Sequence, residues 1–414
     1  MTAWLDHILA GPADPDQMAR DFPWAAAMIG CPHDAVYHAE GDPWVHTCMV
    51  AEALEASDGF QDLPGDRREV LRLAAWFHDV AKPMTTEIIW DEEQQRERVR
   101  QPGHASRGAR IAWQALVDAG YDLLKARDVH TLVFWHQRPT HLLSQRNTLQ
   151  RVVELGHELH HANWDDLLRL CRADQDGRIC LTRDGADDNL ELLRMFIEEA
   201  NANAGADLLT EPWPFQSDVA RRRYLAGDPD DSPFFTPQDP GGSRVIIMSG
   251  LPGSGKDTAI AQHFGNMPVI SLDALRKEMG ISATDNQGRL IQAGIEAARS
   301  HLRAGQDFVW NTTGITAQLR QKIIGLSRGY DARVDAVSID VPASIAISRN
   351  RGRKDPLPDA AIEKLARKRE PVMAAEVHGL WSVDADLQLR PVFGGDPITR
   401  YANFEQDYPE GARP

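Results

Sequence analysis

Apolar residues recur at helical spacing through the first half of the chain. Val70, Leu71, Ala74, Ala75, Phe77 and Val80 mark one face of a helix that stops before Pro83. Ile111 to Val117 and Asp165 to Ala173 repeat that spacing. Asp42 followed by Pro43 supplies an N-cap and a first-turn proline, which predicts a helix running through Glu55. No strand-like alternation of any length is visible before about residue 240. From Arg244 onward the texture changes. Val245 to Met248, Val269-Ile270, Phe308 to Trp310 and Val337 to Ile339 are short apolar runs, separated by helical stretches near 290–304, 316–328 and 342–349. Strands alternating with helices predict a parallel sheet covered on both faces.

Between these textures, Pro212, Pro214, Pro229, Pro233, Pro237, Pro240, Gly241 and Gly242 interrupt every regular pattern. The expected organisation is multidomain: an all-α domain over 1–205, a linker over 206–243, and an α/β domain over 244–414. Trp213, Phe215, Phe234 and Phe235 predict that the linker packs on something. A length of 414 residues agrees with two cores, being too long for one. Residues 380–414 carry no motif.

The hydrophobic fraction of 42% is that of a soluble globular protein. No apolar run reaches membrane-spanning length, and the first residues lack a basic region followed by an apolar one, so a cytoplasmic protein with no membrane partner is expected. The cysteines Cys31, Cys48, Cys171 and Cys180 form no CxxC pair and read as reduced, small apolar residues. A net charge of −16 argues against a protein that coats duplexes without regard to sequence. It leaves room for a nucleic-acid end gripped locally, and basic clusters stand at Arg349, Arg351, Arg353 and Lys354, and at Arg367, Lys368 and Arg369.

The most specific motif is Gly250-Leu251-Pro252-Gly253-Ser254-Gly255-Lys256-Asp257-Thr258. It follows a strand run and opens a helical one, the context of a phosphate-binding P-loop. Gly250, Gly253, Ser254 and Gly255 let backbone N–H groups face the phosphates of ATP or another NTP, and the helix N-terminus adds positive potential. Lys256 is placed for the β- and γ-phosphates. Asp257 stands where Ser or Thr is usual, so Mg2+ could be held by Asp257, by Thr258 or through a water. Asp273, in Ser271-Leu272-Asp273-Ala274-Leu275-Arg276, falls at the carboxyl end of the second strand, where open α/β sheets place substrates. A carboxylate there can take a proton from an attacking hydroxyl, an effect of about 10²–10⁴ in rate. Arg276 lies one helical turn on. Arg349 and Arg353, four apart, face one way if the segment stays helical, and can close over the triphosphate.

Residues 244 to about 378 resemble the polynucleotide 5′-kinase family of P-loop phosphotransferases. The resemblance rests on the loop, the Asp273–Arg276 motif and the Arg349-Asn350-Arg351-Gly352-Arg353 lid ahead of Leu357-Pro358. It implies that Asp273 is the general base on a 5′-hydroxyl, that Arg276 contacts acceptor and phosphate, and that Arg349 and Arg353 grip the donor. One departure is Asn311, in Trp310-Asn311-Thr312-Thr313, where that family leads one to expect an acidic residue.

In the first half, His78-Asp79 ends an apolar helix, so both side chains can reach one ion beyond its terminus. His46 lies in the first turn of an earlier helix, and Asp174 shares the buried face of Leu167. Imidazoles with carboxylates suit Zn, Mn, Fe, Co or Ni better than Ca. In this order the residues resemble the H…HD…D metal site of the HD phosphohydrolase superfamily. Gly103-His104-Ala105-Ser106-Arg107-Gly108-Ala109, Val133-Phe134-Trp135-His136-Gln137-Arg138-Pro139 and Ala173-Asp174-Gln175-Asp176-Gly177-Arg178 look like the HD domain of bacterial CCA-adding tRNA nucleotidyltransferases. The resemblance implies that His104 and His136 hold a second ion, with Asp79 bridging. His130 competes with His136, being six residues away and about 240° round a helix; His136 is favoured. Lys82, a turn beyond His78, is placed to bind the scissile phosphate. His33, His38, His141, His157, His160 and His161 read as surface or capping residues.

Across nearly its whole length the chain resembles bacterial HD–Pnk end-healing enzymes. That implies a phosphoesterase acting on 2′,3′-cyclic or 2′-phosphate ends of RNA, joined to a kinase acting on 5′-hydroxyl ends of RNA or DNA. There is no K-x-D-G nucleotidyl-lysine motif, so sealing would require a separate ligase acting in trans. The other readings are a nucleoside or small-molecule kinase fused to a nucleotide hydrolase, and a nucleotide sensor that binds without turnover.

Overall fold

The computed structural model describes residues 2–180, 185–227, 231–238, 241–281, 288–383 and 387–394. Pro229, Pro240 and most of 380–414 therefore lie outside the described residues. The chain divides into two compact units, Met1–Pro214 and Phe215–Pro414.

The first unit is helical, as its spacing predicts. Helix α1 (Pro43–Ala56) starts where expected: the Asp42 carboxylate accepts from the backbone N–H groups of Trp44 and Val45 at 3.0 and 2.9 Å. Helix α2 (Gly65–Phe77) buries Val70, Leu71, Ala74, Ala75 and Phe77. Helices α3 (His104–Asp118) and α4 (Leu123–Trp135) pack along one another, and α4 also packs on α2. Gly108 lies where α3 meets the end of α2: a Cβ there would make ordinary contacts, 3.5 Å from the carbonyls of Phe77 and His78 and 3.4 Å from Val133. Helix α5 (Trp164–Asp176) opens on a capping box between Asn163 and Asp166 and lies against α1. Helix α6 (Ala186–Ala204) packs on α5.

One expectation fails in this unit. Strands β1 (Glu87–Asp91) and β2 (Arg96–Arg100) form an antiparallel hairpin where no strand was foreseen. Its side chains show no apolar face turned inward: Ile88 and Trp90 are 57% and 54% exposed. Without one buried face the alternation that marks a strand is missing. Backbone pairing and the cross-strand ion pairs Arg100–Glu87 and Arg98–Asp91 hold it instead.

The second unit begins inside the span expected to be a linker. Helix α7 (Asp218–Ala226) is capped by Ser217, and the Arg221 guanidinium donates to the carbonyls of Ala374, Val377 and His378. Prolines flank this stretch without entering it, so a helix forms between them. Trp213 is buried, whereas Phe234 and Phe235 are exposed.

Six strands then form one sheet: β3 (Arg244–Gly250), β4 (Val269–Ser271), β5 (Phe308–Asn311), β6 (Arg333–Ile339), β7 (Gly379–Val383) and β8 (Leu389–Phe393). Their order is β4-β5-β3-β6-β7-β8. The first five run parallel and β8 pairs antiparallel with β7, so the sheet is mixed at one edge. Every residue of β3 is buried. Val245 and Ile247 enter one core with Phe308 and Val334, and Ile246 and Met248 enter the other with Val309 and Val337. That two-sided burial explains why the strand reads as an unbroken apolar run. Helices α8 (Lys256–His263), α9 (Leu272–Glu278), α10 (Gly288–Arg303), α11 (Ala317–Arg328), α12 (Ala343–Arg351) and α13 (Asp359–Ala366) follow in turn. None of the described helices is long and apolar enough to cross a membrane.

Candidate active sites

Helix ends build the first site. His78 caps the end of α2 and Asp79 follows it. His46 lies in the first turn of α1, His104 begins α3, His136 caps the end of α4, and Asp174 lies in the last turn of α5. All six are buried. Three of the histidines are fixed in the same way. Nδ1 of His78, His104 and His136 donates to the carbonyl three residues earlier, of Ala75, Gln101 and Val133, each at 2.7 Å. A carbonyl only accepts, so Nδ1 carries the proton and each Nε2 presents a lone pair.

Those three Nε2 atoms and Asp79 Oδ1 are buried without a hydrogen-bond partner among the described residues, and Asp79 Oδ2 has the Lys82 ammonium 2.6 Å away as its ion-pair partner. Each such orphan costs about 1–3 kcal/mol. The orphans point at one another. Asp79 Oδ2 lies 3.2 Å from His78 Nε2 and 3.7 Å from His46 Nε2; Oδ1 lies 3.4 Å from His104 Nε2 and 4.0 Å from His136 Nε2. Two potential metal-binding groups result, His46–His78–Asp79 and Asp79–His104–His136, sharing Asp79. The donor set, imidazole nitrogens with carboxylate oxygens, fits a pair of divalent transition-metal ions. His130 is in neither group. It stacks on Phe134, with ring centroids 6.3 Å apart.

Charge in the site is already arranged for cations. Burial would raise the carboxyls of Asp79 and Asp174. His78 and Lys82 instead hold Asp79, and Arg178 and His46 hold Asp174, well below the usual range. Burial, with His78 and His104 close by, pushes His136 down to about 3, so it stays neutral and ready to ligate. His46 goes the other way. Burial opposes its charge, but Asp174, 3.0 Å from Nε2, and Glu40, 3.1 Å from Nδ1, raise it.

Several participants escaped the sequence reading. Arg178, one turn past Asp174, donates to its Oδ1 at 3.0 Å. Lys82, which the sequence already singled out, is buried 2.6 Å from Asp79 Oδ2, and its ammonium donates to His33 Nε2 at 2.7 Å. His33 and His38, expected at the surface or at caps, are only partly exposed and stack on one another at 3.7 Å. His38 Nδ1 donates to Glu40 Oε1 at 2.8 Å. Glu40 thus serves both His38 and His46, and its second oxygen accepts from the Ile179 N–H. A position 40 carboxylate on a loop carries no periodicity, so its role is invisible until residues 40, 46 and 179 meet. A carboxylate behind a ligating imidazole typically affects metal affinity by about 10–100-fold. Glu40→Ala is expected to weaken transition-metal binding by that factor, measured by calorimetric titration of metal-stripped protein.

The second site surrounds the glycine loop between β3 and α8. Gly253 and Gly255 adopt φ of +84° and +110°, conformations open to glycine. The Lys256 ammonium donates to the carbonyls of Gly250 and Leu251 at 2.8 and 2.9 Å, and burial pushes it down to about 8 against the pull of Asp257 and Asp273. Asp273 is 71% exposed in the first turn of α9, with Arg276 Nη1 2.5 Å from its Oδ1. Arg349 Nη1 donates to the Ser254 carbonyl at 3.0 Å. Helix α12 ends at Arg351, so Arg353 is not on the shared helical face expected for it. It leaves the following turn and still comes within 3.5 Å of Asp257 Oδ2.

Buried Asn350 holds this turn in place, its side chain accepting from the Leu357 N–H and donating to the Leu357 carbonyl. Of the other basic residues, Arg351 pairs with Asp359, and Arg369 is buried and donates to the Val341 carbonyl. Helix α12 sits directly on the loop, and a Cβ on Gly253 would overlap the Ala346 carbonyl. Gly253→Ala should therefore reduce nucleotide affinity by at least about tenfold, a strain near 1.4 kcal/mol. Titration with a fluorescent ATP analogue checks this.

Residues 44–164 match the HD domain family, and residues 245–372 match the family described as AAA domain. The chain thus joins a segment that matches the HD domain family to a P-loop segment that matches the family described as AAA domain. The HD match includes His46 through His136 and stops before Asp174. The AAA match includes the loop, Asp273 and the lid. A curated relative, the multifunctional CCA protein of Laribacter hongkongensis, is 29% identical over 212 residues, covering 49% of this chain and 48% of its own. The chain thus spans about half the length of that relative. Among solved structures, a gluconokinase from Sinorhizobium meliloti 1021 is 20% identical, with 40% of this chain and 90% of that chain covered at a TM-score of 0.26. A putative kinase from Chloroflexus aurantiacus is 18% identical, with 40% and 97% covered at a TM-score of 0.29.

Proposed function

We propose that the protein heals broken nucleic-acid ends with two separate activities. The HD domain removes a 2′,3′-cyclic phosphate or a 2′-phosphate from RNA 3′ ends by hydrolysis. The P-loop domain transfers the γ-phosphate of ATP or another NTP to a 5′-hydroxyl of RNA or DNA. The observation that carries the hydrolytic half is the ring of partnerless buried Nε2 atoms turned toward the Asp79 carboxylate. Two divalent ions bound there would activate water and neutralise charge on the phosphoryl oxygens. The chain's own part is to hold imidazoles in the Nδ1–H tautomer, to keep Asp79 and Asp174 ionised, and to bring the Lys82 ammonium to the same place for the substrate phosphate.

In the kinase half, Asp273 accepts the proton of the 5′-hydroxyl as its oxygen attacks the γ-phosphorus. The bond to the β–γ bridging oxygen breaks, and the charge that gathers there faces Lys256, Arg349 and Arg353. Arg276, already on Asp273, orients the base. A Mg2+ ion held with the nucleotide beside Asp257 would supply further positive charge to the phosphates.

The experiment that tests the reading uses labelled ATP with a 5′-hydroxyl oligonucleotide in one reaction and free nucleosides or small alcohols in the other. Preferential labelling of the oligonucleotide is expected. Preferential labelling of nucleosides would replace the polynucleotide acceptor with a small one. A 2′,3′-cyclic phosphate RNA that survives incubation with metal-loaded protein would remove the hydrolytic half.

A further inference from the structure

Two residues of the P-loop domain depart from the pattern expected of such a kinase, and they touch. Asp257 stands in the first turn of α8, where a hydroxyl side chain is usual. Asn311 stands at the end of β5, where a carboxylate is expected. The Asn311 side-chain amide donates to Asp257 Oδ1 at 2.8 Å. We infer that the two positions have exchanged roles: Asp257 supplies the carboxylate that serves the nucleotide's metal ion, and Asn311 positions it.

The geometry carries this in three ways. First, β5 lies beside β3 in the sheet, with Met248 registered against Asn311, so the end of β5 reaches the start of α8. The usual arrangement would be a hydroxyl donating from the helix to a carboxylate on the strand. Here the amide donates from the strand to a carboxylate on the helix, so one donor still meets one acceptor, with the negative charge moved across the gap. Second, Asn311 is 8% exposed while the Asp257 side chain is 72% exposed. The buried partner is neutral and the charged one faces solvent on the phosphate side, which avoids the cost of desolvating an ion. A carboxylate in the first turn of α8 also meets the positive end of the helix dipole. Third, Asp257 Oδ2 remains directed outward, with Arg353 Nη2 3.5 Å away. One oxygen is fixed by Asn311 and the other meets a lid arginine. A metal–nucleotide complex would replace that ion pair, freeing Arg353 for the phosphates.

The inference rests on the reading of the second unit as a nucleotide-dependent kinase, and its test needs no phosphate acceptor. The measured quantity is the affinity for a fluorescent ATP analogue with Mg2+ divided by the affinity with chelator, in the full-length protein. Four forms are compared: wild type, Asp257→Ser, Asn311→Asp, and the double variant. Asp257→Ser leaves no carboxylate at the pair and should lower the ratio at least tenfold. Asn311→Asp places a second carboxylate beside the first, which repels metal-free nucleotide and offers the ion another oxygen, so its ratio should not fall. The double variant restores one hydroxyl and one carboxylate in the usual places and should recover most of the wild-type ratio, a coupling that distant sites would not show.

Tb3+ luminescence with the analogue bound gives a second readout, reporting the metal directly. A wild-type ratio in Asp257→Ser overturns the inference, because another group or water would then hold the ion. A double variant no better than Asp257→Ser overturns it too. Failure of the polynucleotide assay with recovery in the double variant would discard the acceptor and keep the metal assignment.

Discussion

Asp79→Ala is expected to abolish phosphate removal from a 2′,3′-cyclic RNA end, with a loss on the order of 10³-fold or more, because both proposed ions share this carboxylate. The same variant should phosphorylate a 5′-hydroxyl end at a rate near wild type. Lys256→Ala or Asp273→Ala should do the reverse. The physical ground is that each site is complete within one unit: His46 to Asp174 fall in residues 1–214, and Gly250 to Arg353 in residues 215–414. One RNA bearing both ends, incubated with the three purified variants, separates the activities. Loss of both from any single folded variant would mean a shared or coupled site, and the two-site account would have to be abandoned. Circular dichroism of Asp79→Ala guards against unfolding, which matters because removing this buried carboxylate leaves Lys82 buried without its counter-ion.

Metal replacement should give the second large effect. Protein stripped by chelator is expected to hydrolyse nothing and to regain phosphoesterase activity with Mn2+, Co2+, Ni2+ or Zn2+ but not with Mg2+ alone. Four of the six candidate ligands are imidazoles, and three of those are locked with Nε2 unprotonated. Mg2+ prefers oxygen ligands and keeps its waters. The kinase activity of the same stripped protein should return with Mg2+, since the donors proposed for its site, the Asp257 carboxylate and the nucleotide's phosphates, are oxygens. Full restoration of phosphate removal by Mg2+ alone would contradict the ligand assignment.

Much of this protein is legible in its residue order. The helical first half, the change of texture near residue 240 and the strands of the α/β sheet follow from local spacing, because burial on one face or on two imprints a period on the chain. The glycine loop is legible for a related reason: positive φ at Gly253 and Gly255 restricts those positions to glycine. The hairpin at 87–100 was not legible, since neither of its strands buries a face. Helix α7 was hidden among prolines that flank it without breaking it.

Which residues meet was decided by tertiary structure alone. Spacing leaves His130 and His136 as rivals, and only the docking of α4 against α2 and α3 turns His136 toward Asp79. Glu40, His33 and Arg178 join the candidate metal site from a loop, a loop and a helix end, none of which has a pattern to read. The same holds in the P-loop unit. As single letters, Asp257 and Asn311 look like two unrelated departures, and only the register of β5 beside β3 makes them one hydrogen-bonded pair. Periodicity records how a segment is buried, but the chemistry lies in contacts between residues far apart in the chain, and those exist only once the helices and strands have packed.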